Sequence, residues 1–313
     1  MPTQITIPVD GPFSLSAAAS FGFGPYTGRP HPDADVMRLA FVADDLDSHA
    51  GAVVRQDPDG ALAVELHGDA RCQVAVNQIK RILSVDADVT GWLAAGRADP
   101  VLGRIQGEYP GLRPVLFHSP YEAAAWAVLS QRRHRAQATA LRRRLAEAAG
   151  ATFELAGQIE HAFPLPDSLL GVASFPGIDE QRMARLHGVA RAAIDGRLDV
   201  VGLRPMPADR ALKWLQQISG LGPLYSRLVY LRSTGVTDGL ALGEPLLAGC
   251  LRHFYGLAKT PDDETIVRLA EPWRPFRTWA GVLFRVAGDR AGVKVEQEQS
   301  GRRPASRQAR LGA

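Results

Sequence analysis

The segment SGLGPLYSRL (219–228) places two glycines around one leucine, with a proline directly after them. ALKWLQQI (211–218) before it and SRLVYLRS (226–233) after it both read as helix. Glycine permits positive φ and close approach of another backbone. Pro223 suits the first turn of the second helix. The amides of that turn have no partner within the helix and carry partial positive charge, which makes a phosphate site. A tight turn between two packed helices is the alternative reading, since helix pairs joined by short glycine turns are common.

Outward from this hairpin the chain divides by pattern. ITIPVDGPF, DVMRLAFVA, AVVRQ and ALAVELHG in the first hundred residues are short and partly alternating, and DPDG (57–60) joins two of them as a hairpin loop. They predict a small antiparallel sheet. RCQVAVNQIKRIL (71–83) predicts an amphipathic helix. From SPYEAAAW onward the pattern is helical: 120–130, 134–149, 179–195, 207–218, 224–234, 245–256, 262–271 and 275–287. Ser119 caps the first of these, with Pro120 in its first turn and Glu122 three residues after the cap. The expected class is α+β, with an N-terminal sheet domain (1–112), an all-helical body (113–288) and a disordered tail (289–313).

Composition bounds the function. The 313 residues are 46% apolar and 22% charged, with a net charge of +3. The two cysteines lie far apart and form no CxxC, which excludes cysteine-held zinc or an iron–sulfur cluster. The eight histidines form no HExxH. The start of the chain has neither a basic nor an apolar leader region, and no apolar run reaches membrane-span length, so a reduced cytosolic setting is expected. The positive charge is concentrated: QRRHRAQATALRRRL (131–145) holds Arg132, Arg133, Arg135, Arg142, Arg143 and Arg144. Such a cluster neutralises phosphates, although a solvated basic face is the ordinary reading of a charge run.

SPYEAAAWAVLSQ (119–131), LQQISGLGP (215–223), DGLALGEPLLAGCL (238–251) and WRPFRTWA (273–280) occur in this order. Together they resemble the helix-hairpin-helix DNA glycosylase superfamily, and within it the AlkA-type 3-methyladenine DNA glycosylase II family. The likeness runs over about residues 115–287, and the N-terminal sheet is similar to that family's extra domain. It implies a monofunctional N-glycosylase that flips a damaged, alkylated purine out of duplex DNA and hydrolyses its bond to the sugar. A monomer associated with the nucleoid, with no organic cofactor, is expected.

The resemblance also implies roles for residues. About two dozen residues after the hairpin the superfamily carries an aspartate, and Glu244 stands at that position. A carboxylate there stabilises the positive charge left on the sugar and orients or deprotonates water. Glutamate has a longer arm, and it is not a preferred N-cap. Asp238 reads as a solvated turn residue. Gln131 and Arg132 fall where the family inserts a side chain into the hole left by the flipped base. Arg133, His134, Gly220, Leu221 and Gly222 complete the expected DNA contacts. Carbonyls of Gly220 and Gly222 are expected to hold a sodium or potassium ion.

Leu224, Leu228 and Arg285 stand where the family has pocket aromatics. Phe21, Phe23, Trp126 and Tyr225 are the substitutes available, each with core packing as its ordinary reading. Trp273 and Trp279 are expected in the core. Strand-cutting members carry a lysine just after the glycine turn, where this chain has Leu224, so amine catalysis is not expected. A non-catalytic helix-hairpin-helix DNA-binding protein is the competing reading, favoured by the Glu-for-Asp difference and the missing aromatics.

Overall fold

The computed structural model describes residues 2–21, 24–25 and 36–294. Phe23 and most of the basic tail lie outside the described residues. Strand β1 (Thr3–Ile7) precedes a short helix α1 (Leu15–Ala19). Strands β2 (Val36–Val42), β3 (His49–Gln56) and β4 (Leu62–Gly68) follow, and the four form an antiparallel sheet in the order β1-β4-β3-β2. Ile5, Val64, Val54 and Met37 make one row across it. The DPDG loop closes β3 onto β4 as expected, with Gly60 donating to the carbonyl of Asp57. Alternation is clean in β4, where Leu62, Val64 and Leu66 are buried. It is lost in β3, where Ala50–Val54 are all buried. A strand covered on both faces reads as a continuous apolar run.

Helix α2 (Cys72–Ile82) packs its apolar stripe inward, with Ala75, Val76, Ile79 and Ile82 buried. Helices α3 (Thr90–Ala98) and α4 (Pro100–Glu108) come next, and sequence periodicity leaves both unassigned. Helix α5 (Pro120–Ser130) is the centre of the helical body: every residue from Pro120 to Leu129 is buried. A helix apolar all round is a core helix, and its alanines allow neighbours to approach closely. After α6 (Arg135–Ala149) comes a hairpin of β5 (Thr152–Leu155) and β6 (Gln158–His161), also unassigned from sequence, which lies against β2 and β3. The rest is helical: α7 (Pro166–Leu170), α8 (Glu180–Ile194), α9 (Val200–Leu203), α10 (Ala208–Leu215), α11 (Pro223–Ser233), α12 (Pro245–Tyr255), α13 (Asp263–Leu269) and α14 (Arg277–Arg290). Helix α14 continues two residues into the segment expected to be tail. No described helix is long and apolar enough to cross a membrane.

Two hydrophobic clusters organise the packing. One joins the sheet (Phe41, Val54, Val64) to α2, α5, α8 and α11. The other joins Trp92, Leu102 and Ile105 of α3 and α4 to Leu247, Trp273, Trp279 and Phe284. Trp273 and Trp279 are therefore core residues, as read from sequence. Packing crosses residue 112 in both clusters: α5 uses the sheet as one of its walls in the first, and α3 and α4 pack with the C-terminal helices in the second.

Glu122 shows how the sheet is tied to the helices. Ser119 caps α5 as expected, accepting from the Glu122 amide at 3.1 Å. The Glu122 carboxylate does not reach back to complete a capping box. It accepts from the amide of Val42 at 3.1 Å and from Arg142 at 2.5 Å, with His118 at 3.7 Å. Arg142 thus serves the interior and is not part of a solvated face. Burial pushes the Glu122 carboxyl up, but His118, Arg142 and the Val42 amide outweigh it and hold the group at about 2. This stabilisation is complete above the ordinary carboxylate value of 4.5 and fades as pH falls toward 2. Glu122→Gln leaves Arg142 buried without its counter-charge, an expected cost of about 3 kcal/mol. Thermal melts of wild type and variant at pH 7 and pH 3 check this: the gap between them narrows at the lower pH.

Candidate functional site

Gly220 and Gly222 turn out to be glycine for different reasons. Gly220 has φ +96°, a left-handed conformation, and a side chain there would press on Arg185 and Val128 at 3.3 and 3.4 Å. Gly222 is the N-cap of α11 with φ −69°, which any residue adopts, and a Cβ there would meet nothing within 4 Å. Internal packing therefore explains Gly220 and does not explain Gly222, which is exposed at the mouth of α11.

The end of α5 is locked to this turn. Gln131 Nε2 donates to the Gly220 carbonyl at 2.5 Å, and Gln131 Oε1 accepts from Arg185 of α8 at 3.2 Å. Arg182 donates to the Gln131 carbonyl at 3.1 Å. Gln131, expected to face DNA, lines the open depression beside the hairpin, and its amide also braces α5, α8 and the hairpin together. Arg132, the next residue, is exposed and has φ +54°. A left-handed non-glycine residue costs about 1–3 kcal/mol, and such strain clusters at functional positions. The turn thus aims Arg132 outward over a depression of about 350 Å³ lined by Gln131, Arg132, Arg185, Gly220, Gly222 and Tyr225.

Other expected DNA contacts sort differently. Leu221 is buried and its amide donates to Ile218, so neither its side chain nor that amide faces outward. Arg133 donates to the Gly177 carbonyl at 2.6 Å, and His134 is exposed at the start of α6. The Gly220 carbonyl already accepts from Gln131 and the Gly222 carbonyl from Ser226. Each oxygen keeps a second lone pair beyond the bond that holds the turn.

On the other side of α11 lies a narrow open cavity of about 70 Å³. Leu224, Arg227, Leu228, Leu231 and Arg232 of α11 line it, with Gly239, Ala241, Leu242, Glu244, Leu247, and Arg277, Thr278, Gly281, Val282 and Arg285 of α14. Adjacent residues of α11 thus serve both places, Leu224 the cavity and Tyr225 the depression. Glu244 occupies the N-cap position of α12, yet its side chain makes no cap hydrogen bond. It faces the cavity, 19% exposed, with Oε1 3.2 Å from Arg285.

Asp238 is not a solvated turn residue. Arg277 Nε at 2.5 Å and Arg274 at 2.7 Å grip it in an ion-pair cluster at the base of α14. Trp126 is a core residue, and Tyr225 belongs to the hairpin depression, so neither lines the cavity. Phe21 also lies outside the lining, stacked under the Arg232 guanidinium. Leu224, Leu228 and Arg285 do line it, and none of its described lining residues is aromatic. Arg182, Arg185, Arg227, Arg232 and Arg277 are absent from the sequence-derived site. The signal available was a pair of arginines, 227 and 232, set in the otherwise apolar run of α11.

Comparison with known proteins agrees with this fold. No family model matches the chain. It is similar to a DNA-3-methyladenine glycosylase of Bacillus subtilis (strain 168), 25% identical over 216 residues, covering 67% of this chain and 71% of that one. Among solved structures, the 3-methyladenine DNA glycosylase from Archaeoglobus fulgidus superposes with a TM-score of 0.73 at 16% identity, over 91% of this chain and 98% of that one. The Clostridium acetobutylicum 8-oxoguanine glycosylase/lyase, solved with double-stranded DNA, gives 0.58 at 15% identity, over 82% and 99%. The fold and the sequence relatives together group the chain, at the level of the superfamily, with the helix-hairpin-helix DNA glycosylases.

Proposed function

We propose that this chain is a monofunctional DNA N-glycosylase that removes a damaged base, of the alkylated purine class, from duplex DNA. The observation that carries the reading is Glu244: an uncapped carboxylate in a cavity walled by the hairpin's second helix. Phosphate meets the first-turn amides of α11 beside the bare Gly222. Arg132 fills the gap left by the flipped nucleotide, and the base enters the cavity. Glu244 stabilises the oxocarbenium-like sugar and takes a proton from the attacking water. Leu224, 53% exposed at the position where strand-cutting relatives place lysine, offers no amine. Borohydride added during turnover should therefore trap no covalent protein–DNA complex, and a trapped complex would show lyase chemistry.

The strained turn supports the wedge role. Arg132→Ala should lower excision about tenfold from a fully paired duplex and much less from a one-nucleotide bulge, where extrusion is easier. Equal loss on both substrates would make Arg132 a phosphate contact only.

A non-catalytic DNA-binding protein is the second reading. The Glu244–Arg285 ion pair favours it, since a paired carboxylate is a weaker partner for a sugar cation. Base release separates the two readings.

A further inference from the structure

The cavity beneath α11 is lined by four arginines and one carboxylate. Arg277 is engaged by Asp238, just outside the lining, and Arg285 by Glu244. Arg227 donates to the Leu242 carbonyl, and Arg232 donates to Val115 at 2.8 Å. The field inside stays positive. Burial and the like charge of Arg285 lower Arg232 to about 9, against the opposing pull of Glu244, so these three groups feel one another across the cavity. A purine alkylated on N3 or N7 carries positive charge in its nucleoside. It would enter against like charge, and no described lining residue supplies an aromatic face for cation–π attraction.

We propose that the pocket is built for an uncharged damaged purine that keeps a carbonyl oxygen, with Arg227 and Arg285 as the residues that select it. The proposal rests on the glycosylase reading above. Each guanidinium has five N–H donors and spends only part of them on its protein partner. The rest suit a ring carbonyl. The chemistry needs them as well. When the bond from C1′ to N9 of an uncharged purine breaks, its electron pair leaves with the base, which becomes an anion. The guanidinium groups hold that negative charge, water adds to C1′, and its proton passes to Glu244. The base is then protonated from solvent. A cationic purine leaves as a neutral molecule and needs such donors less.

The test uses two isomers, N1-methylguanine, which is uncharged, and N7-methylguanine, which is cationic. Each is placed in a one-nucleotide bulge so that pairing strength drops out. The readout is release by the protein divided by spontaneous release from the same DNA. The expected enhancement is at least tenfold greater for N1-methylguanine. Arg227→Gln should cut that preference at least fivefold, while Arg227→Lys, which keeps the charge, retains most of it. An equal or greater enhancement for N7-methylguanine, or an unchanged preference in Arg227→Gln, overturns the proposal and leaves the glycosylase reading intact. Release of neither base above the spontaneous rate overturns the glycosylase reading, and the proposal with it.

Discussion

Glu244→Gln should lower base release at least about 100-fold, the usual scale for a lost catalytic acid–base group, while duplex binding stays within a few-fold of wild type. The variant should fold normally. Glu244 makes no capping hydrogen bond to α12, so the amide removes no helix cap. What it removes is the anion in the cavity and the 3.2 Å ion pair with Arg285. Single-turnover base release and duplex affinity, measured on the same preparation, check both halves. Unchanged release would move the chemistry away from Glu244, and Asp238 could not replace it while Arg274 and Arg277 hold it. Glu244→Asp is the finer probe. Its shorter arm draws the carboxylate away from Arg285, and a faster variant would mean that the ion pair restrains the reaction.

The second large effect separates the two hairpin glycines. Gly222→Ala should leave the melting temperature unchanged, since its φ is ordinary and the added methyl meets no protein atom. It should weaken binding to damaged and undamaged duplex alike by about tenfold, equivalent to one charge-assisted hydrogen bond of about 1.5 kcal/mol. Gly220→Ala behaves differently. It forces a side chain into a left-handed conformation, at about 1–2 kcal/mol, and presses on Arg185 and Val128. Its melting temperature should fall, and its binding loss should follow from displacement of the turn. Titrations of both variants with duplex at two salt concentrations, beside thermal melts, distinguish the cases. A Gly222→Ala protein with unchanged affinity and salt slope would take the hairpin out of the DNA interface and leave it a tight turn between packed helices.

The helices and the sheet were legible because their signals are local. Strand alternation in β4, the DPDG loop and the Ser119–Pro120 start of α5 each depend on a few neighbouring residues. Helices α3 and α4 were missed because their apolar faces are short and pack against the turn at Glu271–Trp273 and against α14, more than a hundred residues away. In the site, Glu244, Leu224, Leu228 and Arg285 were placed by resemblance, and the structure brings them to one cavity. The partners of Gln131 were not legible: nothing within 120–131 indicates that its amide will bridge Gly220 and Arg185. Trp126 was offered to the pocket on chemistry alone. An aromatic within a run of buried alanines is held by packing on every side, and α5 turns it into the core.

The central claim is that this chain breaks the bond between base and sugar. Wild-type protein should be incubated with duplex oligonucleotides carrying single methylated guanines, and both the free base and the integrity of the strand should be followed. The account predicts free methylated base above the spontaneous rate for at least one lesion, with an abasic strand that stays whole until heated in alkali. Duplex that binds the protein and releases no base above that rate would contradict it, leaving a DNA-binding protein with the shape of a glycosylase.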